Sequence, residues 1–178
     1  MKYKTKYKKR EYLFVDGYNI INCWGDLQKV SEMSLEQSRN ELIDTMAEYR
    51  CYTGIEVIVV FDAHMVKGSS QKNEKLKGIE VVYTKENQTA DQYIEKEVNE
   101  IGKVKKVTVA TSDWIEQQVV LGRGATRMSA RELKIEIGEL KQGIDRKSKK
   151  QSQVNNLIMG RLDEDTLEKL INWSKTGK

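Results

Sequence analysis

Tyr12-Leu13-Phe14-Val15-Asp16-Gly17-Tyr18-Asn19 is an apolar run that stops at an acid, a glycine and an amide. Aromatic and β-branched residues at this density suit a buried strand. Gly17 carries no Cβ and so permits an abrupt change of direction. Asp16 therefore stands at the carboxyl end of a strand, the edge at which open α/β sheets hold their ligands. Residues 57–61 form a second, almost continuous β-branched run and end in Asp62. Residues 107–110 form another and lead through Thr111-Ser112 to Asp113. Acids recurring at strand ends decide the reading of the whole chain.

Outward from that run, strand and helix patterns alternate. Ser34 with Gln37, Thr89 with Gln92 and Ser129 with Glu132 each have capping-box spacing, which satisfies orphan amides at a helix start. Helices are predicted from Ser34 to Gly54, from Thr89 to Gly102 and from Ser129 onward, with Gly54 a suitable terminator. A turn with a short helix or loop is expected over 17–30, broken at Trp24-Gly25-Asp26. Another short helix follows Asp113 and is broken at Gly122-Arg123-Gly124. Residues 79–84 read as a further strand, after a polar, lysine-bearing stretch over 63–78 that reads as a mobile loop. This alternation implies a three-layer α/β/α fold with a mostly parallel central sheet. The expected organisation is a basic arm at 1–10, a folded domain at 11–148, and a linker with a short C-terminal helix at 149–178.

The 178 residues suffice for one domain with a substantial core. No apolar run approaches the ~20 residues of a membrane-spanning helix, and the N-terminus lacks the apolar segment of a signal peptide. A cytoplasmic protein with no membrane partner is expected. Cys23 and Cys51 lack metal-ligand or redox spacing and read as buried or half-buried free thiols. The net charge of +4 is unevenly spread, with basic clusters in the first ten residues and again around 141–150. Such clusters suit a polyanion, nucleic acid being the commonest, or serve simply as solvated tails.

Four carboxylates share one topological address. Asp16, Asp62 and Asp113 each follow a strand, and Asp91 falls in the first turn of a helix that follows one. Gathered without a counter-ion they would repel and raise one another's pKa values. A hard divalent cation, Mg²⁺ or Mn²⁺, removes that penalty and could activate water against a phosphodiester. The plainer alternative for each acid is a helix cap or turn. Asn19 either caps a helix or supports Asp16 and substrate. Lys67, Lys85, Arg123, Arg127 and Arg131 lie on or near the same edge, where they could neutralise RNA phosphates. Tyr18, Trp24 and Trp114 border it, and an aromatic there could stack on an unpaired base, although core packing suits Trp24 better. His64 is the lone histidine, which argues against histidine triads and zinc cages. No phosphate loop, Rossmann fingerprint or H-E-x-x-H motif occurs.

The residues also resemble a family. Val15-Asp16-Gly17-Tyr18-Asn19, Val60-Phe61-Asp62-Ala63-His64, Thr84-Lys85-Glu86-Asn87-Gln88-Thr89-Ala90-Asp91, Ala110-Thr111-Ser112-Asp113 and Ser129-Ala130-Arg131-Glu132-Leu133 resemble the signature blocks of the YacP-like branch of NYN-domain proteins. The resemblance covers about residues 11–148. It implies a PIN-like fold and a metal-dependent endoribonuclease acting on single-stranded RNA. It also implies Asp16, Asp91 and Asp113 as metal-binding acids, Asp62 as a supporting acid and Asn19 as an auxiliary. Such bacterial proteins are linked with messenger RNA turnover and, in this branch, with the ribosome. Two rival expectations stay open, a non-catalytic RNA- or ribosome-binding module and a phosphatase for small phosphate esters.

Overall fold

The computed structural model describes residues 11–62, 72–101 and 105–159. The predicted strands form β1 (Glu11–Asp16), β2 (Glu56–Phe61), β4 (Ile79–Tyr83) and β5 (Lys106–Ala110), joined in one six-stranded sheet by β3 (Lys72–Leu76) and β6 (Thr126–Met128). The strand order is β3-β4-β2-β1-β5-β6, and only the β3–β4 pair is antiparallel. The chain moves from β1 to β2 and β4 on one side, then crosses back to β5 on the other. The direction of winding therefore reverses between β1 and β5, and a crevice opens there at the carboxyl edge.

The helices are α1 (Gly17–Cys23), α2 (Gly25–Met33), α3 (Leu35–Thr53), α4 (Ala90–Ile101), α5 (Trp114–Gly122) and α6 (Ala130–Met159). Side chains alternate across a strand. One sheet face carries Phe14, Ile58, Val60, Val82, Val107 and Val109, packed against Tyr93, Ile94 and Val98 of α4. The intervening residues Leu13, Val15, Val57, Val59 and Phe61 are equally buried, and α1 and α3 pack on β1, β2 and β4. The result is the expected α/β/α layering. By its contacts the chain falls into two compact units, 1–137 and 138–178, and the described part of the second continues α6.

The caps follow the predicted spacing. Thr89 and Gln92 bond reciprocally, as do Ser129 and Glu132. Ser34 accepts from the amide of Gln37, but the Gln37 side chain turns to Glu41, so that box is half made. Gly54 ends α3 at φ 72°, as a left-handed terminator should. Trp24 separates α1 from α2. Its buried indole donates to the Ala130 carbonyl at 2.9 Å, so it is a core residue.

Three expectations need correction. Residues 72–76, expected within a loop, form edge strand β3, closed onto β4 by a turn at Lys77 (φ 50°) and Gly78 (φ 91°). Its polar composition hid it, because edge strands carry lysine and face water. β6 is too short to show a period. The linker expected from residue 149 begins as helix, since α6 runs to Met159. Polar composition does not stop a helix where neither glycine nor proline intervenes. Cys23 and Cys51 are both exposed, on the outer faces of α1 and α3. The basic arm at 1–10, residues 63–71 with His64 and Lys67, Gly102, and the C-terminal helix expected from Asp163 lie outside the described residues.

Candidate functional site

Asp16 ends β1 and caps α1, its Oδ1 accepting the Asn19 amide at 3.1 Å. Only 8% of the residue is exposed. Burial lifts its pKa from 3.8 to about 7; the Asn19 bond opposes the rise, and the charge and hydrogen bond of Asp91 add to it, followed by the charge of Asp62. Asp91, exposed in the first turn of α4, thus meets Asp16 directly. A cation between two carboxyl groups in contact would offset the repulsion that helps raise Asp16.

Gly17 owes its place to close approach. A Cβ there would lie 2.3 Å and 2.5 Å from two carbons of the Phe61 ring. The expected role as a flexible turn gives way to a steric one, since Gly17 is simply the first residue of α1. Its bare backbone lets Phe61, at the end of β2, slide beneath the start of α1.

Asn19 ties the two sides of the crevice together. Its Oδ1 accepts the Ser112 amide at 2.7 Å, from the loop after β5. In that loop Thr111 is fully buried and its hydroxyl accepts the Asp113 amide at 3.1 Å, which fixes the backbone of the exposed Asp113. The Ser112 hydroxyl accepts from Ala130 at 3.1 Å and so helps start α6. Val15 pairs with Ala110 and Asp16 with Val60, which sets the ends of β1, β2 and β5 side by side.

The geometry sorts the predicted acids. Asp16 and Asp91 touch, and Asp62, just past the end of β2, acts on Asp16 through its charge. Asp113 stands at the end of the strand beside β1. Among the described residues, no three His, Cys, Asp or Glu side chains close into one ligand cluster. The donor set nonetheless fits a hard cation: Mg²⁺ characteristically takes one or two carboxylates and completes its shell with water and phosphate. Asp16 and Asp91 could hold such an ion.

The predicted basic residues are more scattered. Lys85 is exposed in the turn before α4. Arg127 pairs with Glu132 at 3.1 Å, and Arg131 is exposed in the first turn of α6. Arg123 is bound to Glu95 and Asn99. The side chain of Trp114 lies outside the described part.

Sequence reasoning missed an aromatic group with an arginine. Tyr18 meets Phe61 edge-on at 5.2 Å, and Phe61 stacks on Tyr83 at 5.6 Å. Arg39 of α3 donates to the Tyr18 hydroxyl at 3.1 Å. Burial raises the Tyr18 pKa, Arg39 opposes that rise, and Tyr83 and Asp62 reinforce it. The 3.6-residue period of α3 gives Arg39 no distinguishing mark. A signal lay only in the parallel register, which pairs Phe61 with Tyr83.

A family model described as the YacP-like NYN domain matches residues 13–175. The chain belongs to the YacP-like NYN-domain family. It is 42% identical over 166 residues to the Bacillus subtilis (strain 168) protein called uncharacterized protein YacP, covering 93% of this chain and 97% of that one. It is also similar to the crystal structure of Rae1 (YacP) from Bacillus subtilis, with 42% identity, a TM-score of 0.68, and coverage of 93% of this chain and 95% of that one. A mutant of the same Rae1 gives a TM-score of 0.67 at 43% identity, covering 79% and 82%. NYN-family membership makes the domain nuclease-like and PIN-like, with an RNase-like role. Among the described residues, no helix is long and apolar enough to cross a membrane.

Proposed function

We propose that this NYN-family protein is a metal-dependent endoribonuclease that cleaves single-stranded RNA, with messenger RNA presented at the ribosome as its substrate. The observation that carries the reading is the contact between buried Asp16 and Asp91 at the winding reversal of the sheet. A purely RNA-binding surface gains nothing from acids that repel phosphate, whereas a cation-binding pair needs them.

Bound Mg²⁺ or Mn²⁺ would supply Lewis acidity, making a water nucleophilic and neutralising charge on the leaving oxygen. Asp16 and Asp91 would hold the ion. Asp62 supports the site with charge. Asp113, its backbone fixed by Thr111 and its loop by Asn19, would orient the attacking water or complete the shell as substrate enters. Water attacks the phosphorus in line and gives up a proton to solvent, the P–O bond opposite breaks, and the leaving oxygen takes a proton from solvent. Lys85, Arg131 and Lys67, with Arg127 once released from Glu132, supply cations for the flanking phosphates.

Purified protein is tested on single-stranded RNA with Mn²⁺, beside Asp91→Asn. Internal cleavage by the wild type, reduced by a factor of ~100 or more in the variant, is expected for loss of a metal-holding group. Equal cleavage by both would remove Asp91 from the mechanism. An assay on translating ribosomes tests the presentation of substrate separately.

A further inference from the structure

Arg39 is the feature for which the reading above has no use. It lies in the second turn of α3, a helix that ends at Thr53 just before β2 begins. Such a helix runs against the strands, so its first turns reach the carboxyl edge that holds Asp16. There Arg39 is half-buried, and its hydrogen bond goes to the Tyr18 hydroxyl at 3.1 Å. Among the described residues no carboxylate forms an ion pair with it. The cation is instead steered by a phenol, two residues beyond Asp16.

Its surroundings are equally particular. Phe61, fully buried, is the base on which Tyr18 rests edge-on and Tyr83 lies stacked. Tyr18 and Tyr83 are both half-buried, so neither is wholly closed off from solvent. Gly17 makes the arrangement possible, because any Cβ there would strike the Phe61 ring. Asp62 acts on Tyr18, and Glu36 and Glu74 on Tyr83; Arg39 offsets these acids at both tyrosines, and Lys72 adds to it at Tyr83. A planar guanidinium forks onto phosphate oxygens, and aromatic rings beside it take an unpaired base.

We propose that Arg39, held by Tyr18, and the Tyr18–Tyr83 aromatic surface form a nucleotide subsite beside the acids, with Arg39 on a backbone phosphate and the tyrosines under the adjoining base of single-stranded RNA. The inference rests on the nuclease reading and names where the strand lies within it. The subsite sits on the β1–β2–β4 side of Asp16, so RNA crosses the carboxyl edge from β4 toward β5. Tyr18 is then a positioning residue as well as a contact, since its hydroxyl aims the guanidinium.

The test measures binding of a fluorescent single-stranded oligouridylate by anisotropy, from about 50 to 200 mM salt, in an Asp91→Asn background that does not cleave. Arg39→Ala is expected to weaken binding on the order of tenfold and to lower the slope of log K against log salt by about 0.7, the value for one phosphate contact on a single strand. Arg39→Lys restores the slope but not the full affinity, because the charge returns without the fork. Tyr18→Phe keeps the ring, releases the guanidinium and weakens binding less than Arg39→Ala. Lys106→Ala, at the opposite edge and paired with Glu11, leaves affinity and slope unchanged. In the cleaving background the Arg39→Ala loss falls mainly on KM. A parent that binds RNA, with Arg39→Ala matching it in affinity and slope at equal thermal stability, overturns the subsite and leaves the nuclease reading standing. A slope that Arg39→Lys does not restore shows a structural role and overturns it too. A parent with no affinity for free RNA overturns the subsite and leaves the nuclease reading to the assay on translating ribosomes.

Discussion

Replacing Asp16 by asparagine should stabilise the metal-free protein, and the gain should depend on pH in a defined direction. Burial and the contact with Asp91 raise the Asp16 carboxyl from 3.8 to about 7 in the folded protein. The sign follows from linkage. Below about pH 3, folded and unfolded chains both keep the proton, so the group has little effect. As pH rises from about 4 to 7 the unfolded chain ionises while the folded one resists, and stability is lost. Above about pH 7 the folded protein carries the full penalty of a buried charge beside another acid. The shift corresponds to roughly 4 kcal/mol against the ionised form, an upper bound on what the substitution can recover. The side-chain oxygen of the introduced asparagine can still accept from the Asn19 amide, so the helix cap survives. A gain of about 1–3 kcal/mol at pH 8 is therefore expected, or roughly 2–10 °C in Tm for a chain of this size. Saturating Mn²⁺ should reverse the ranking, because it stabilises the wild type by mass action and the variant much less. Thermal melts of both proteins at several values between pH 4 and 8, with EDTA and with Mn²⁺, measure the difference. A variant that is less stable than the wild type in EDTA at pH 8, or a difference that does not vary with pH, would refute the reasoning.

Two further substitutions test the scaffold around the acids. Gly17→Ala should destabilise by about 1–3 kcal/mol in urea unfolding, because the new Cβ meets the Phe61 ring at 2.3 Å, and Phe61→Leu in the same chain should recover part of the loss. Asn19→Ala leaves the Asp16 cap in place but removes the acceptor of the exposed Ser112 amide; it should cost about 0.5–1.5 kcal/mol and lower kcat for RNA more than it raises KM, and an unchanged kcat would show that the β5–α5 loop needs no tether.

The strand ends were legible because apolar runs stop sharply at Asp16 and Asp62, and a parallel sheet must bury such runs on both faces. The helix starts were legible because Ser, Thr and their glutamine or glutamate partners act within one turn of local chain. The legible site was the set of acids, since topology alone sends every strand's carboxyl end to one edge. What stayed hidden depended on distance in sequence. Arg39 and Tyr18 are 21 residues apart, and Phe61 meets Tyr83 only through strand pairing. Gly17 looked like a turn glycine because the ring that excludes a Cβ lies 44 residues on, as counted between Gly17 and Phe61. β3 stayed hidden for the opposite reason: its partner is adjacent, but an edge strand shows water the charges expected of a loop.

Diffraction from crystals soaked in Mn²⁺, recorded to detect the ion's anomalous scattering, tests the central claim most directly. The account predicts a peak between the carboxylates of Asp16 and Asp91, at about 2.0–2.2 Å from their oxygens, on the side of the crevice that faces Asp113. No peak there at saturating Mn²⁺, in crystals grown above pH 7 where Asp16 is free to ionise, would contradict it.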